Sequence, residues 1–548
     1  MDRARLFRII LSILIGGVVF VYAFNTIYES DVFYHLKAGE VIWDTGAVPT
    51  ADIFSTSAAG ARWVTHEWLS ELVFYGVHSL TGLWGLIAFS SLLAALLFTL
   101  LLRFIRSKGS FSVAAIVLTV FALLAVPFWM PRPHIFSYWF IALFLVFLER
   151  YSKSGETKLL IWMGGLMVLW ANMHASFIFG IGMCAYYAAA LFFSCRNGEG
   201  KNEEGRFRFR KLAYATGAYL LLSLINPNGY ESLLYVVTVM PSAKAFNVTE
   251  WQSIVSFTES LDTRLFLAVL VLTDIFLLWR FGIRRATRNI PLLLAVAGVS
   301  LMPLFSMRYL AVWLALAAYP SARAFAEYAE ERFPGSQKRE GWLAVLLIFL
   351  IAVRIPLLPK SPSSTMRIPS RAVDFIEKEG IRGPLFNLYN EGGYLLWRLY
   401  PKEKVFIDGR SEVFLGAPTE EFLSLIDARE GWKRIIDEKY AFNYLVLAYW
   451  PESLERMVHP LAEAVEKSGE WSIVYWDDAA AVYVRNIPAH REVIDRFAVR
   501  TVSPFRNPAD IPREQKKEAL IEIRKLLERS PDSQFLKAYA FELMKTGR

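Results

Sequence analysis

Acidic, imidazole and guanidinium side chains collect at a few places in an otherwise apolar chain of 548 residues. Glu29-Ser30-Asp31 is followed four residues on by His35, a spacing that puts Asp31 and His35 on one helical face. His66 and Glu67 are adjacent. Arg132 and His134 lie in PRPH, Asn172 and His174 in WANMHASF, and Asn226 opens NPNG. Glu250 precedes Trp251, and Arg308 stands at the head of an apolar run. Carboxylates and imidazoles are the groups that move protons, and arginines the groups that neutralise anions. Structural roles compete for the same residues. Ser30-Asp31 is good N-cap chemistry, the Asn226 run is turn chemistry, Arg132 and Arg308 can snorkel, and Asn172 can cap a break between short spans. His66-Glu67 reads first as a surface polar pair. No phosphate-binding glycine loop, nucleophile elbow or zinc-protease pattern is present. Two cysteines, Cys184 and Cys195, exclude a disulfide framework and a cysteine-based zinc site.

The elements that must position these residues are membrane spans. Hydrophobic residues make up 55% and charged residues 20%, and the mean hydropathy is +0.34. Averages this apolar need many runs of about 20 residues. Such runs fall at 9–24, 83–102, 110–129, 134–149, 157–171, 175–195, 212–225, 264–280, 289–306, 309–326 and 341–358. A topology with Met1 inside puts most Lys and Arg of residues 1–360 in inside loops. It leaves Lys37, Arg62, Arg132, Lys244, Arg264 and Arg308 in the short outside loops. About eleven spans then place everything after Lys360 outside. The net charge of +8 is accounted for by cytoplasmic loops, so nucleic acid is not expected as a partner. All the candidate residues above fall on the outside face. Polar residues at the membrane edge are costly, and this collection is the functional signal. Asp31, Arg132, His134, His174 and Arg308 are expected to face one cavity.

Domain organisation follows. Residues 1–360 form the transmembrane part, with a long first outside loop at 27–82. That loop holds a short helix at 32–44 and a second at 66–80, apolar on one face and expected to lie along the membrane surface. A second amphipathic piece lies at 233–240. Beyond the linker KSPSSTMRIPS, residues 361–503 read as an extracytoplasmic α/β domain, with strands in PLFNLY, KVFID, YLVLAY, WSIVYWD and AAVYVR. EEFLSLIDAREGWKRIIDEKY reads as one helix and SLERMVHPLAEAVEKSG as another. Residues 504–548 read as a helical hairpin. The fold class is a polytopic α-helical membrane protein carrying this outside domain.

The pattern resembles the GT-C class of integral-membrane glycosyltransferases, in particular bacterial relatives with D-x-x-x-H-x-x-x-G, then G-x-x-P-x-x-D-x-F-S, then H-E-W in the first outside loop. Here these read DVFYHLKAG (31–39), GAVPTADIFS (46–55) and HEW (66–68). The RPH, W-x-N-x-H and NPNG runs look similar to elements of the same group. Less specifically, so do FNLYNEGGYLLW (386–397) and VFIDGR (405–410). The resemblance implies a polyprenyl-phosphate sugar donor, transfer outside, and an essential Asp matching Asp31, here the bet for general base. His35, His66 and Glu67 stand with it as catalytic candidates. Arg132 and Arg308 are the bets for the phosphate, with His134, Asn172, His174, Asn226 and Glu250 as substrate-binding candidates. The D-x-D of the oligosaccharyltransferase branch is missing, since Val32 and Phe33 follow Asp31. No metal ligand is therefore assigned, and a divalent cation, Mg or Mn, stays open.

The reading is a glycosyltransferase moving a hexosyl or pentosyl group to an envelope glycan, lipid or protein. It would work at the outer face of a multi-pass protein of the inner (plasma) membrane, in contact with membrane lipids. A transporter, flippase or glycan polymerase would want inverted repeats and broken, charged spans. No repeat is evident, and Asp274 is the only acid well inside a span. A non-catalytic assembly protein would not need the polar collection around Asp31.

Overall fold

A computed structural model describes residues 3–105, 110–196, 203–236, 249–282, 298–333, 341–364, 367–449 and 459–545. The chain divides into two units: residues 1–25, 42–48 and 64–362 in the first, and 26–41, 49–63 and 363–548 in the second.

The first unit is helical. It contains α1 (Arg3–Ala23), α3 (Trp68–Phe104), α4 (Phe111–Leu124), α5 (His134–Ser154), α6 (Thr157–Met173), α7 (Phe177–Arg196) and α8 (Glu203–Leu222). Three further helices follow at Leu261–Leu277, Tyr309–Arg332 and Gly341–Arg354. α2 (Asp31–Thr45) begins in the second unit and ends in the first. Three helices among the described residues are long and apolar enough to cross a membrane: Arg5–Ala23, Trp68–Phe104 and His134–Ser154. Four shorter helical stretches are apolar: Phe111–Leu124, Thr157–Met173, Phe177–Phe193 and Gly341–Leu357. Part of the run at 289–306 and part of the piece at 233–240 lie outside the described residues, as do residues 450–458.

These helices pack on one side and stay apolar on the other. α1 packs against α3 and the helix Gly341–Arg354, and α4 against Tyr309–Arg332. Leu11, Ile15, Trp170 and Trp313 are fully buried, whereas Ile161, Trp162 and Leu221 are left exposed. An apolar face of that kind suits hydrocarbon rather than water.

α3 covers 37 residues as two helices joined at a kink. Gly82 breaks it, with φ 67° and ψ −168°, a conformation that glycine adopts without a Cβ penalty. The surface helix and the span expected as separate elements are thus two helices that meet at Gly82.

The second unit is built on a four-stranded mixed sheet in the order β1-β2-β4-β3: β1 (Leu385–Asn387), β2 (Tyr444–Ala448), β3 (Trp471–Trp476) and β4 (Ala480–Arg485). β1 runs parallel to β2, and β4 is antiparallel to both β2 and β3. The stretch KVFID is not a ladder strand. It makes one bridge, Val405 to Ser55, because Asn387 reaches across from β1 with its side chain: Nδ2 donates to Ile407 O and Oδ1 accepts from Phe406 N. The long helix expected over 420–440 ends at Ile426, where Ala428 and Gly431 take left-handed φ of 49° and 86°. The hairpin consists of Lys516–Arg529 and Gln534–Lys545.

Candidate functional site

In the first unit the candidate residues form two charge groups. Glu67 precedes the first turn of α3, and its Oε1 lies 3.5 Å from His66 Nε2 and 3.3 Å from His174 Nε2. The hydrogen bonds fix the imidazole tautomers. His174 sits between α6 and α7, and its Nδ1 accepts the backbone N–H of Ser176 at 3.1 Å, so Nε2 carries the proton facing Glu67. Burial, with Arg308, His66 and His134 nearby, holds His174 well below the ordinary histidine value against the pull of Glu67. His66 is the reverse. Its Nδ1 faces the Val64 carbonyl at 3.1 Å, which can only accept, so Nδ1 carries a proton. The ring of Tyr235 lies on His66 at 3.9 Å between centroids. Glu67 therefore stands between an imidazole that donates to it and one with which it can share a proton.

The second group joins Arg132, Glu250 and Arg308. Glu250 Oε1 is 3.6 Å from Arg132 Nη2 and 3.4 Å from Arg308 Nη1. The two loops that carry Glu250 and Arg308 are latched together. Arg308 N and Ser306 Oγ both donate to the Glu250 carbonyl at 2.9 Å, and Met307 N donates to that of Gln252 at 2.8 Å. The Arg308 guanidinium lies over the Trp251 ring at 5.1 Å. Burial alone would raise the Glu250 carboxyl; Arg308 and Arg132 outweigh it and bring the group below its ordinary value. Glu67 is close enough to act on both Arg308 and Glu250, and the two fixed guanidiniums are groups that can bind an anion. His134 opens α5 with its Nε2 3.0 Å from the Phe128 carbonyl.

Asn172 and Asn226 serve as ties. Asn172 donates to Val168 O at 2.8 Å and Ile225 O at 2.7 Å, and accepts from Trp68 Nε1 at 2.9 Å. Asn226 accepts from Asn228 N and Ser232 Oγ and donates to Ser223 O. Both line an open apolar groove of about 660 Å³ with Trp68, Gly165 and Pro227.

Asp31 and His35 belong to the second unit, on one face of the first turns of α2, with His35 buried. Ser30 precedes the helix, and its hydroxyl accepts from Tyr394 N at 2.6 Å. Gly409 lies directly against Asp31 Oδ1. Arg410, next in the chain, is buried with Asp52 and Asp408: its Nη2 is 2.7 Å from Asp52 Oδ1 and 2.6 Å from Asp408 Oδ2. Trp63 lies under its guanidinium at 4.5 Å. The Asp408-Gly409-Arg410 and Glu391-Gly392-Gly393 turns thus meet the segments 26–41 and 49–63 within this unit.

Tyr235, Trp251 and Tyr389 were not singled out by sequence. A chain with 24 Tyr and 17 Trp gives no local signal for them. The signals for Arg410 and Asp52 were present in the D-G-R run and in the D of the G-x-x-P-x-x-D-x-F-S run, but nothing local says that they pair.

No protein-family model and no curated protein matches this chain. Among solved structures it is similar to archaeal oligosaccharyltransferase AglB from Archaeoglobus fulgidus, in complex with an inhibitory peptide and a dolichol-phosphate. The TM-score is 0.58 at 10% identity, over 99% of this chain and 86% of that one. It is also similar to the same enzyme in complex with zinc and sulfate, at TM-score 0.56 and 10% identity over 98% and 85%. The form tethered to an acceptor peptide containing an NVT sequon gives TM-score 0.53 and 12% identity over 88% and 74%. The chain therefore shares the fold of the archaeal oligosaccharyltransferase.

Proposed function

We propose that this protein is a glycosyltransferase that moves a sugar from a polyprenyl-phosphate-linked donor to an envelope glycan, lipid or protein at the extracytoplasmic face. The observation that carries the reading is the Arg132–Glu250–Arg308 group, two guanidiniums held on one carboxylate, in a chain with the fold of an enzyme solved with dolichol-phosphate. A lipid phosphate cannot leave the bilayer, so its head must be met at the surface. The charge that develops on the leaving phosphate needs preorganised cations, since these do not have to reorganise as the bond breaks. Arg132 and Arg308 fill that role, and Glu250 holds them in place until the anion arrives. Asp31 accepts the proton of the attacking hydroxyl. His35, His66, Glu67, His134 and His174 orient these groups or the sugar, and Asn172 and Asn226 shape the apolar approach.

The topology that goes with this reading has an inside N-terminus, eleven spans in the plasma membrane and residues 361–548 outside, as the Lys/Arg asymmetry supports. A protein acceptor is favoured by the acceptor peptide bound to the archaeal enzyme. Hard oxygen and imidazole donors of the type a divalent cation prefers exist in both units, at Glu67 and Glu71 in one and at Asp31 and His35 in the other. A cation held there would add charge stabilisation to the phosphate. No step above depends on it, and chelation followed by Mg or Mn addition tests it.

The deciding experiment is transfer by the purified, reconstituted protein from undecaprenyl-phosphate glucose, mannose and arabinose. Asp31→Asn keeps shape and removes the proton acceptor, and turnover should fall by about 10²–10⁴ with folding intact. Wild-type turnover by Asp31→Asn would end the assignment of the base.

A further inference from the structure

The Asp31 carboxylate is pressed against a turn that comes from the opposite end of the chain. A methyl group on Gly409 would overlap Asp31 Oδ1 and come within 3.3 Å of Tyr34 Cε1. The turn is built to hold Gly409 in that place. Asp408 and Arg410 close on each other around it: Asp408 Oδ1 accepts from Arg410 N at 3.0 Å and from Nε at 2.8 Å, and Oδ2 accepts from Nη2 at 2.6 Å. The same Nη2 reaches Asp52, which ties the turn to the first loop. Tyr389 Oη donates to the Gly409 carbonyl at 2.9 Å. Burial and the carboxylates of Asp31 and Glu412 push that phenol up, so it stays a donor.

A second turn treats the preceding residue the same way. Gly393 abuts the Ser30 carbonyl, and Tyr394 N donates to the Ser30 hydroxyl. Neither Gly409 nor Gly393 has a positive φ. Their backbone conformations are open to any residue, so glycine is required there by closeness of approach and not by dihedral angle. Apolar packing against α2 is supplied by Tyr394 and Trp397, whose rings lie 4.8 and 5.0 Å from that of Phe33. Here two glycine turns and a buried ion triad converge on one carboxylate and the peptide before it.

We infer that Gly409, Arg410 and Tyr389 are positioning residues for Asp31, so that the C-terminal domain is part of the catalytic machinery and not a separate binding module. The turn removes the orientations in which the Asp31 carboxylate would fold back over its own helix start, leaving it aimed in one direction. Preorganisation of this kind acts on turnover more than on donor binding. The inference rests on the glycosyltransferase reading given above.

The test is a double-mutant cycle on the full-length protein in nanodiscs. Gly409→Ala should lower the thermal midpoint with Asp31 present and lose that cost in an Asp31→Ala background, where the obstructing oxygen is gone. With the undecaprenyl-phosphate glucose, mannose and arabinose donors, Gly409→Ala should lower kcat at least tenfold and leave the donor KM within about twofold. Tyr389→Phe keeps the ring and should lower kcat severalfold, which covers the case of a Gly409→Ala protein that does not fold. In an Asp31→Asn background neither change should cost anything further. Equal thermal cost in both Asp31 backgrounds, or kcat losses that multiply with that of Asp31→Asn, would overturn the inference. Wild-type turnover by Asp31→Asn would instead remove the base assignment, with the thermal coupling of Gly409 to Asp31 still intact as packing.

Discussion

Replacing Glu391 with glutamine should stabilise the second unit at pH 8 and leave its stability near pH 4 almost unchanged. Glu391 precedes Gly392, which lies against the Ile407 carbonyl, and Gly393, which abuts Ser30, and it is 2% exposed. Oε1 accepts from Leu388 N at 2.9 Å, and Oε2 is buried with no hydrogen-bond partner among the described residues. Burial outweighs the backbone N–H groups and raises the carboxyl from 4.5 to about 7. Between those values the folded protein holds a proton that the unfolded chain has released. Stability therefore falls as pH rises through this window and stays lowered above it. At about 1.4 kcal/mol per pH unit, the ionised unfolded state gains roughly 3 kcal/mol over the folded one by pH 8. Glutamine has the same shape, keeps an oxygen for Leu388 N and never ionises. Its amide nitrogen takes the Oε2 position, which already carries a proton in the acid form. The expected gain is about 3 kcal/mol at pH 8, shrinking to near zero by pH 4. Urea unfolding of the full-length protein in detergent, with pulse proteolysis of residues 363–548, measures it at each pH. A difference that does not change with pH, or a glutamine variant that is less stable throughout, would refute the argument that burial keeps Glu391 protonated.

Other outcomes follow from the same geometry. Arg308→Ala removes a charge-assisted phosphate contact and should cost about 1.5–3 kcal/mol in donor binding or transfer, read as donor KM and kcat in reconstituted vesicles. Arg410→Ala leaves Asp52 and Asp408 buried without their cation and should destabilise the second unit by about 3–5 kcal/mol, measured by the same urea titration. A cysteine placed at Ser364 should be labelled by an impermeant reagent from outside, and one at Gly198, which lies outside the described residues, should not. The opposite pattern would invert the topology.

Much of the scaffold is legible from local pattern. The helix Asp31–Thr45, the break near Gly82 and most of the helix ends follow from runs of apolar residues and from glycine, proline and charge at their borders. The collection of Arg132, His174, Glu250 and Arg308 is also legible, because polar residues at the ends of apolar runs stand out. What local pattern does not carry is pairing. Val405-Phe406-Ile407 has the composition of a strand, but Phe406 N and Ile407 O bond to the Asn387 side chain and Val405 to the backbone of Phe54 and Thr56, which periodicity does not report. Glu421 to Lys439 has helical spacing throughout, and only Gly431 hinted at the break that Ala428 completes. Gly409 reads as an ordinary turn residue until Asp31 is seen beside it.

The second unit is assembled from pieces far apart in the sequence, and this imposes an order on its biosynthesis. Tyr394 N and Ser30 Oγ, which are bonded in the folded protein, are 364 positions apart. At ~5–20 residues per second, the ribosome needs roughly 20–70 s after making Ser30 to deliver its partner. Through that interval Asp52 has no Arg410, and Phe54 and Trp63 have no guanidinium to cover them. The long apolar helices of the first unit are made in the same interval. Residues 26–41 and 49–63 must wait as an unpaired loop while those helices insert, and they close only when the last 186 residues, 363–548, have followed. A chain truncated before Arg410 would insert its helices and still hold Asp31 unfixed.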